Sequence, residues 1–166
     1  NVRILRLLLC LITSFLFTSA IRNYISQKVS YLQVFSFVSI GSFMSYTFGP
    51  QSLSYNSLVS AFLIISFSLV IIGLSKKGFK SNLCFFCSGI FISLGLVVKF
   101  SSVLLFVIFL LSWIYFYKSS DNHKKINLVF KISIGFFIGV FLYSILCFSI
   151  FDLVNARSKI EKHNIE

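Results

Sequence analysis

Acidic residues are nearly missing from this chain. It holds four Asp and Glu in 166 residues, and none precedes Asp121. Only 11% of the residues carry any charge, against roughly a quarter in a water-soluble domain. So little charge cannot coat a water-facing surface, and an ordinary soluble globular fold is excluded. Histidine is equally scarce: His123 and His163 lie far apart in polar stretches. A zinc site needs about four nitrogen or sulfur donors, and ion-coupled pumps carry acidic or histidine residues inside their spans. The sequence also has no P-loop, no HExxH and no nucleophile elbow. No metal and no cofactor is expected. Among the four cysteines, Cys84 and Cys87 have the CxxC spacing. Without a second such pair or a βαβ context, they read, like Cys10 and Cys147, as apolar filler in helices.

What fills the chain instead is apolar. Hydrophobic residues make up 57%, with 22 phenylalanines and a mean hydropathy of +0.95. A membrane-spanning helix needs ~20 mainly apolar residues. Such runs occur at 4–21, 32–48, 57–75, 83–98, 100–117 and 128–151, followed by a polar tail at 152–166. One helix over 83–117 would be about 52 Å long at 1.5 Å per residue, far beyond a hydrocarbon core of ~30 Å. Lys99 is the one charge inside that stretch, so a hairpin of two spans with Lys99 at its turn is expected. The fold class is all-α, a polytopic transmembrane bundle of about six spans.

Small residues mark where helices should meet. Ser36, Ser39, Ser42 and Ser45 recur every third position, which lines one face of a helix with short hydroxyls and predicts packing against a neighbour. Gly135 and Gly139 form a GxxxG step, predicted to let two helix backbones approach closely, within the chain or between two copies.

The net charge of +11 sits in short clusters between apolar runs. These lack the aromatic interleaving of a nucleic-acid surface, so no nucleic acid is expected and membrane lipids are the partner. Arg22 and Lys28, then Lys76, Lys77 and Lys80, then Lys118, Lys124 and Lys125 with Lys131 are separated by two spans each. An even spacing puts all three loops on one side, the cytoplasmic one by the positive-inside rule. The Gly49–Asn56 turn, Lys99 and the tail then lie outside, in a periplasm or an organelle lumen. Arg3 and Arg6 fall outside too, against the rule. Trp113, Tyr115 and Tyr117 at one border, and Tyr46 and Tyr55 at the other, are placed as interfacial belts are. The chain begins at Asn1 rather than Met, which suggests an internal fragment with sequence upstream. A signal peptide over 3–20 is the rival reading.

Lys99 admits two roles. It is an interfacial lysine snorkelling to water, or it holds an anionic ligand at the outer face.

Three stretches carry a resemblance. Asn1-Val-Arg-Ile-Leu-Arg-Leu-Leu-Leu is an arginine-bearing helix start. Pro50-Gln-Ser-Leu-Ser-Tyr-Asn-Ser-Leu is a short turn leading into a Tyr-Asn step. Ser88-Gly-Ile-Phe-Ile-Ser-Leu-Gly-Leu-Val-Val-Lys-Phe-Ser-Ser-Val-Leu-Leu-Phe alternates small and apolar residues up to a lysine and beyond. In this order they resemble the middle of a GT-C-type membrane glycosyltransferase. That resemblance implies a polyprenyl- or dolichyl-phosphate sugar as donor, transfer to an acceptor at the outer membrane face, and Lys99 as a contact for the lipid phosphate. The family's catalytic carboxylates lie in a large external loop ahead of the matched stretches, so no catalytic residue is assigned here. Two other classes remain open: a transporter or flippase of lipid-linked sugars, and a structural membrane protein without chemistry. The sequence leaves the oligomeric state open.

Overall fold

The computed structural model describes the backbone of residues 2–24, 30–48, 55–116 and 122–163, and the side chains of 4–22, 30–42, 55–116, 123 and 125–147. Within these the chain forms α1 (Val2–Tyr24), α2 (Tyr31–Phe48), α3 (Tyr55–Ser75), α4 (Phe79–Val98), α5 (Phe100–Phe116) and α6 (Asn122–His163). It is an all-α bundle. The helices form because long apolar runs without proline can satisfy every backbone N–H and C=O internally.

The chain stops and restarts where its chemistry changes. Between α3 and α4 stands Lys76-Lys77-Gly78, and Gly78 takes φ +66°, a left-handed conformation that glycine adopts without a Cβ penalty. Ser81 Oγ donates across this turn to the Gly73 carbonyl at 2.6 Å. Between α4 and α5 a single extended residue, Lys99, breaks the helix, its N–H still donating to the Gly95 carbonyl at 2.9 Å. The hairpin expected from the length of 83–117 is therefore present, with its turn at Lys99.

α4 is the centre of the bundle and packs on α3, α5 and α6, while α1 packs on α2 and α3. α3 and α4 are antiparallel: Asn56 meets Lys99 at one end, Ser66 and Ser88 share a buried 2.8 Å hydrogen bond in the middle, and Ser81 meets Gly73 at the other end. α4 and α6 run parallel, with Lys131 bonded to Asn82 and Gly135 and Gly139 seated further along α4. That parallel pairing requires α5 to return across the bundle between them.

The interior combines a core of Phe85, Ile92, Leu110, Ile114, Leu128 and Ile132 with fully buried small hydroxyl residues, while many large apolar side chains face outward. Thr18, Ser66, Ser68 and Ser88 are wholly buried, whereas Phe37, Leu105, Phe130 and Phe141 each expose more than 60% of their surface. A soluble protein does the reverse with its large apolar side chains. In a bilayer, lipid tails solvate Leu and Phe as well as a protein core does, so close packing of small residues holds the helices together. Thr18 and Ser68 find partners within their own helices: Thr18 donates to the Ser14 carbonyl at 2.7 Å and Ser68 to the Ile64 carbonyl at 2.7 Å. The serine row of α2 meets α1 through Ser42, which accepts from Ser14 at 2.8 Å. Ser36 is exposed, and the side chain of Ser45 lies outside the described residues.

Among the described residues, four segments are long and apolar enough to cross a membrane: Ile4–Arg22, Tyr55–Ser75, Phe79–Val98 and Lys125–Cys147. The described part of α2, Tyr31–Ser42, and α5, Phe100–Phe116, are shorter apolar helices. α5, at about 26 Å, is a few ångströms short of a full hydrocarbon core. α6 begins ahead of the run expected at 128–151 and continues as helix to His163, so helical backbone extends over most of the expected polar tail. Arg6, in the first turn of the Ile4–Arg22 segment, is buried at 5% exposure.

Candidate functional site

The strongest polar constellation gathers where α3 begins and α4 ends. Lys99 is carried there by the helix break: an extended residue between two helices can turn its side chain across the bundle instead of along a helix face. Its Nζ donates to Asn56 Oδ1 at 2.9 Å and lies 5.4 Å from the centroid of the Tyr55 ring. Asn56 and Tyr55 are in the first turn of α3, where backbone N–H groups lack intrahelical acceptors and the helix dipole is positive. An ammonium and a helix N-terminus of the same sign are thus held together. The amide oxygen of Asn56 fixes the lysine's position without cancelling its charge. A site of this composition attracts anions and can donate hydrogen bonds to a phosphate or carboxylate.

The opposite end is richer in lysine. Lys76, Lys77 and Lys80 are exposed on the α3–α4 turn. Lys131 Nζ donates to Asn82 Oδ1 at 2.7 Å, and Lys125 Nζ donates to the Tyr115 carbonyl at 2.8 Å while lying 5.9 Å from the Tyr115 ring. Loops 76–82 and the described part of 118–127 therefore share one end of the bundle, and Lys99 lies at the other. In the third cluster, Arg22 stands over the Tyr31 ring at 5.7 Å. Lys28, Lys118 and Tyr117 lie outside the described residues, as do the side chains of Arg3, Tyr46, Lys124 and the 152–163 segment. Of the expected belt, Tyr115 meets Lys125, while Trp113 packs edge-on against Phe67 with centroids 5.3 Å apart.

Gly135 and Gly139 both face α4. A Cβ on Gly135 would fall on the Phe86 carbonyl, and one on Gly139 would strike Ser93. Gly89 completes the contact, since a Cβ there would come within 2.6 Å of the Phe136 backbone nitrogen. Sequence spacing flagged the two α6 glycines, but not Gly89 across from them. Nor did it pair Asn56 with Lys99 or Asn82 with Lys131: the signal, an asparagine at each mouth of an apolar run, is visible only once α3, α4 and α6 are in register.

Cys84 and Cys87 are free thiols on α4. Among the described residues no three His, Cys, Asp or Glu side chains gather as a metal site would require. No described side chain is a carboxylate.

No protein-family model, no curated protein and no solved structure matches this chain.

Proposed function

We propose that this chain is a membrane-embedded part of a glycosyltransferase that takes a sugar from a lipid-phosphate donor at the outer membrane face, and that Lys99 is its phosphate contact. The observation that carries the reading is the meeting of Lys99 with Asn56 and Tyr55. The Tyr-Asn step and the lysine belong to two separate stretches of the resemblance, and they come together at one end of the bundle. In such a reaction a base activates the acceptor hydroxyl while the lipid phosphate leaves with the bonding electrons. The reading gives this chain the task of binding and orienting that phosphate. The base is a carboxylate outside the described side chains.

The charge pattern supports the sidedness. The lysine-rich end is cytoplasmic by the positive-inside rule, which turns Lys99 to the periplasm or lumen of a bacterial inner membrane or a eukaryotic endomembrane.

The test is binding of a polyprenyl monophosphate to the protein in nanodiscs. A hydrogen bond to a charged group contributes about 1.5–3 kcal/mol, so Lys99→Gln should weaken binding roughly 10- to 100-fold. Lys99→Arg should keep part of it, because the charge stays while the geometry changes. Unchanged affinity in Lys99→Gln would make the lysine an interfacial anchor and remove the reading's support.

A further inference from the structure

At the lysine-rich end α5 and α6 each pack on α4, and a cleft separates them. Its mouth holds about 600 Å³, lined by Leu111, Ile114 and Tyr115 of α5 and by Lys125, Val129 and Phe130 of α6. It continues into a recess of about 270 Å³ that reaches Phe137 on α6 and is floored by Ile92 of α4. From Lys125 to Phe137 the cleft runs about 18 Å along α6 at 1.5 Å per residue. That is close to the depth of one leaflet, half of a hydrocarbon core of ~30 Å.

The walls are almost wholly apolar, and Ser133 is the one hydroxyl common to both parts. The entrance is the reverse. Lys125 stands in it, using one of its three N–H groups on the Tyr115 carbonyl,. Lys131 is tied to Asn82, two residues beyond exposed Lys80. Both lysines are held by neutral oxygens, and no described side chain at this end is a carboxylate. A slot one leaflet deep, apolar along its length and cationic at its mouth, is complementary to one kind of molecule.

We propose that the α5–α6 cleft binds an anionic glycerophospholipid of the adjacent leaflet, with one acyl chain lying along Leu111, Val129 and Ser133 and the phosphate at Lys125. The site is separate from Lys99, at the other end of the bundle, and does not depend on the transferase reading. A bare groove of this size would forfeit dispersion contacts along both walls. An acyl chain restores them, and the headgroup meets a charge that no described carboxylate compensates.

Tryptophan quenching by brominated acyl chains tests this in vesicles. Trp113→Phe removes the native indole, and Leu111→Trp places a reporter on the cleft wall. Ser112→Trp, exposed at the same depth and outside the cleft, is the lipid-facing control. The Leu111→Trp reporter should prefer brominated phosphatidylglycerol over brominated phosphatidylcholine about fivefold, the ratio equivalent to ~1 kcal/mol for one lysine near an anionic lipid. The control should show a weaker preference. Lys125→Gln should bring the cleft reporter down to the control, Lys125→Arg should preserve the preference, and Ser133→Phe should block quenching by filling the slot. Circular dichroism checks that each variant stays helical. Equal preference at reporter and control, or a preference untouched by Lys125→Gln, would overturn the proposal. So would a reporter that neither lipid quenches, which would mean that a helix, from a second copy or another protein, fills the cleft.

Discussion

Replacing Gly135 by alanine adds one methyl group where α6 lies directly against the α4 backbone. The new Cβ would land on the Phe86 carbonyl, with the Phe86 carbonyl carbon and Cα at 2.9 and 3.1 Å. These are backbone atoms of α4, so no rotamer change relieves the overlap, and α4 and α6 must separate. Overpacking of a fitted interface costs about 1–3 kcal/mol, and a rigid backbone collision belongs at the top of that range. Alanine regains up to about 1 kcal/mol of helix propensity over glycine. The net expectation is a loss of about 2 kcal/mol. Gly139→Ala should cost less, because its Cβ meets chiefly the Ser93 hydroxyl, which can rotate at the expense of its 2.7 Å hydrogen bond to the Ile90 carbonyl, a bond worth about 0.5–1.5 kcal/mol. Gly41, with nothing within 4 Å of its virtual Cβ, is the control, and Gly41→Ala should be neutral or stabilising. Equilibrium unfolding in mixed micelles of increasing dodecyl sulfate fraction reads all three. The reasoning fails if Gly135→Ala matches the parent protein, or if Gly41→Ala is the most destabilised of the set.

Two further outcomes follow from other contacts. The buried Ser66–Ser88 bond should show a coupling of about 0.6 kcal/mol in a double-alanine cycle by the same unfolding assay, the usual size for a hydrogen bond between membrane helices; zero coupling would show that the pair is incidental. In a background without native cysteines, single cysteines at Lys77 and Ser101, which flank opposite ends of α4, should react with impermeant reagents from opposite sides of sealed membranes. Labelling of both from one side would remove α4 as a span.

The helices were legible because a bilayer imposes a length and forbids unpaired backbone groups. The break at Lys99 could be placed to the residue, since it was the one charge in a run too long for one span. Helix ends were less legible. α6 continues past Phe151 into the polar tail because nothing in Asp152–His163 stops a helix: that segment lacks both glycine and proline. Pairing was hardest to foresee. A GxxxG step announces a close approach but not its partner, and Gly89 between Ser88 and Ile90 looked no different from other small residues on α4. The Lys99 site depended on the same missing information: Asn56 and Lys99 are 43 residues apart, and only the antiparallel register of α3 and α4 brings them into reach.

Both ends of α4 are tied by a lysine bonded to an asparagine, Lys99 with Asn56 and Lys131 with Asn82. An aspartate at either place would have the same shape and would make an ion pair. Asparagine positions the ammonium and leaves its charge available, which is what binding of an anion requires. Asn56→Asp separates these two roles at Lys99. The geometry at 2.9 Å can persist, and a carboxylate in the first turn of α3 is favoured by the helix dipole by about 0.3–1 kcal/mol, so the fold should be as stable as before or slightly more stable. The local charge, however, falls from positive to neutral. Polyprenyl monophosphate binding should then weaken at least about tenfold, a loss of ~1.4 kcal/mol, with the helix content and unfolding midpoint held or raised. A structural lysine predicts the same gain in stability but no change in binding. If Asn56→Asp binds the lipid phosphate as tightly as the parent protein, the positive charge at the α4–α5 turn is not what holds it, and Lys99 loses its assigned role.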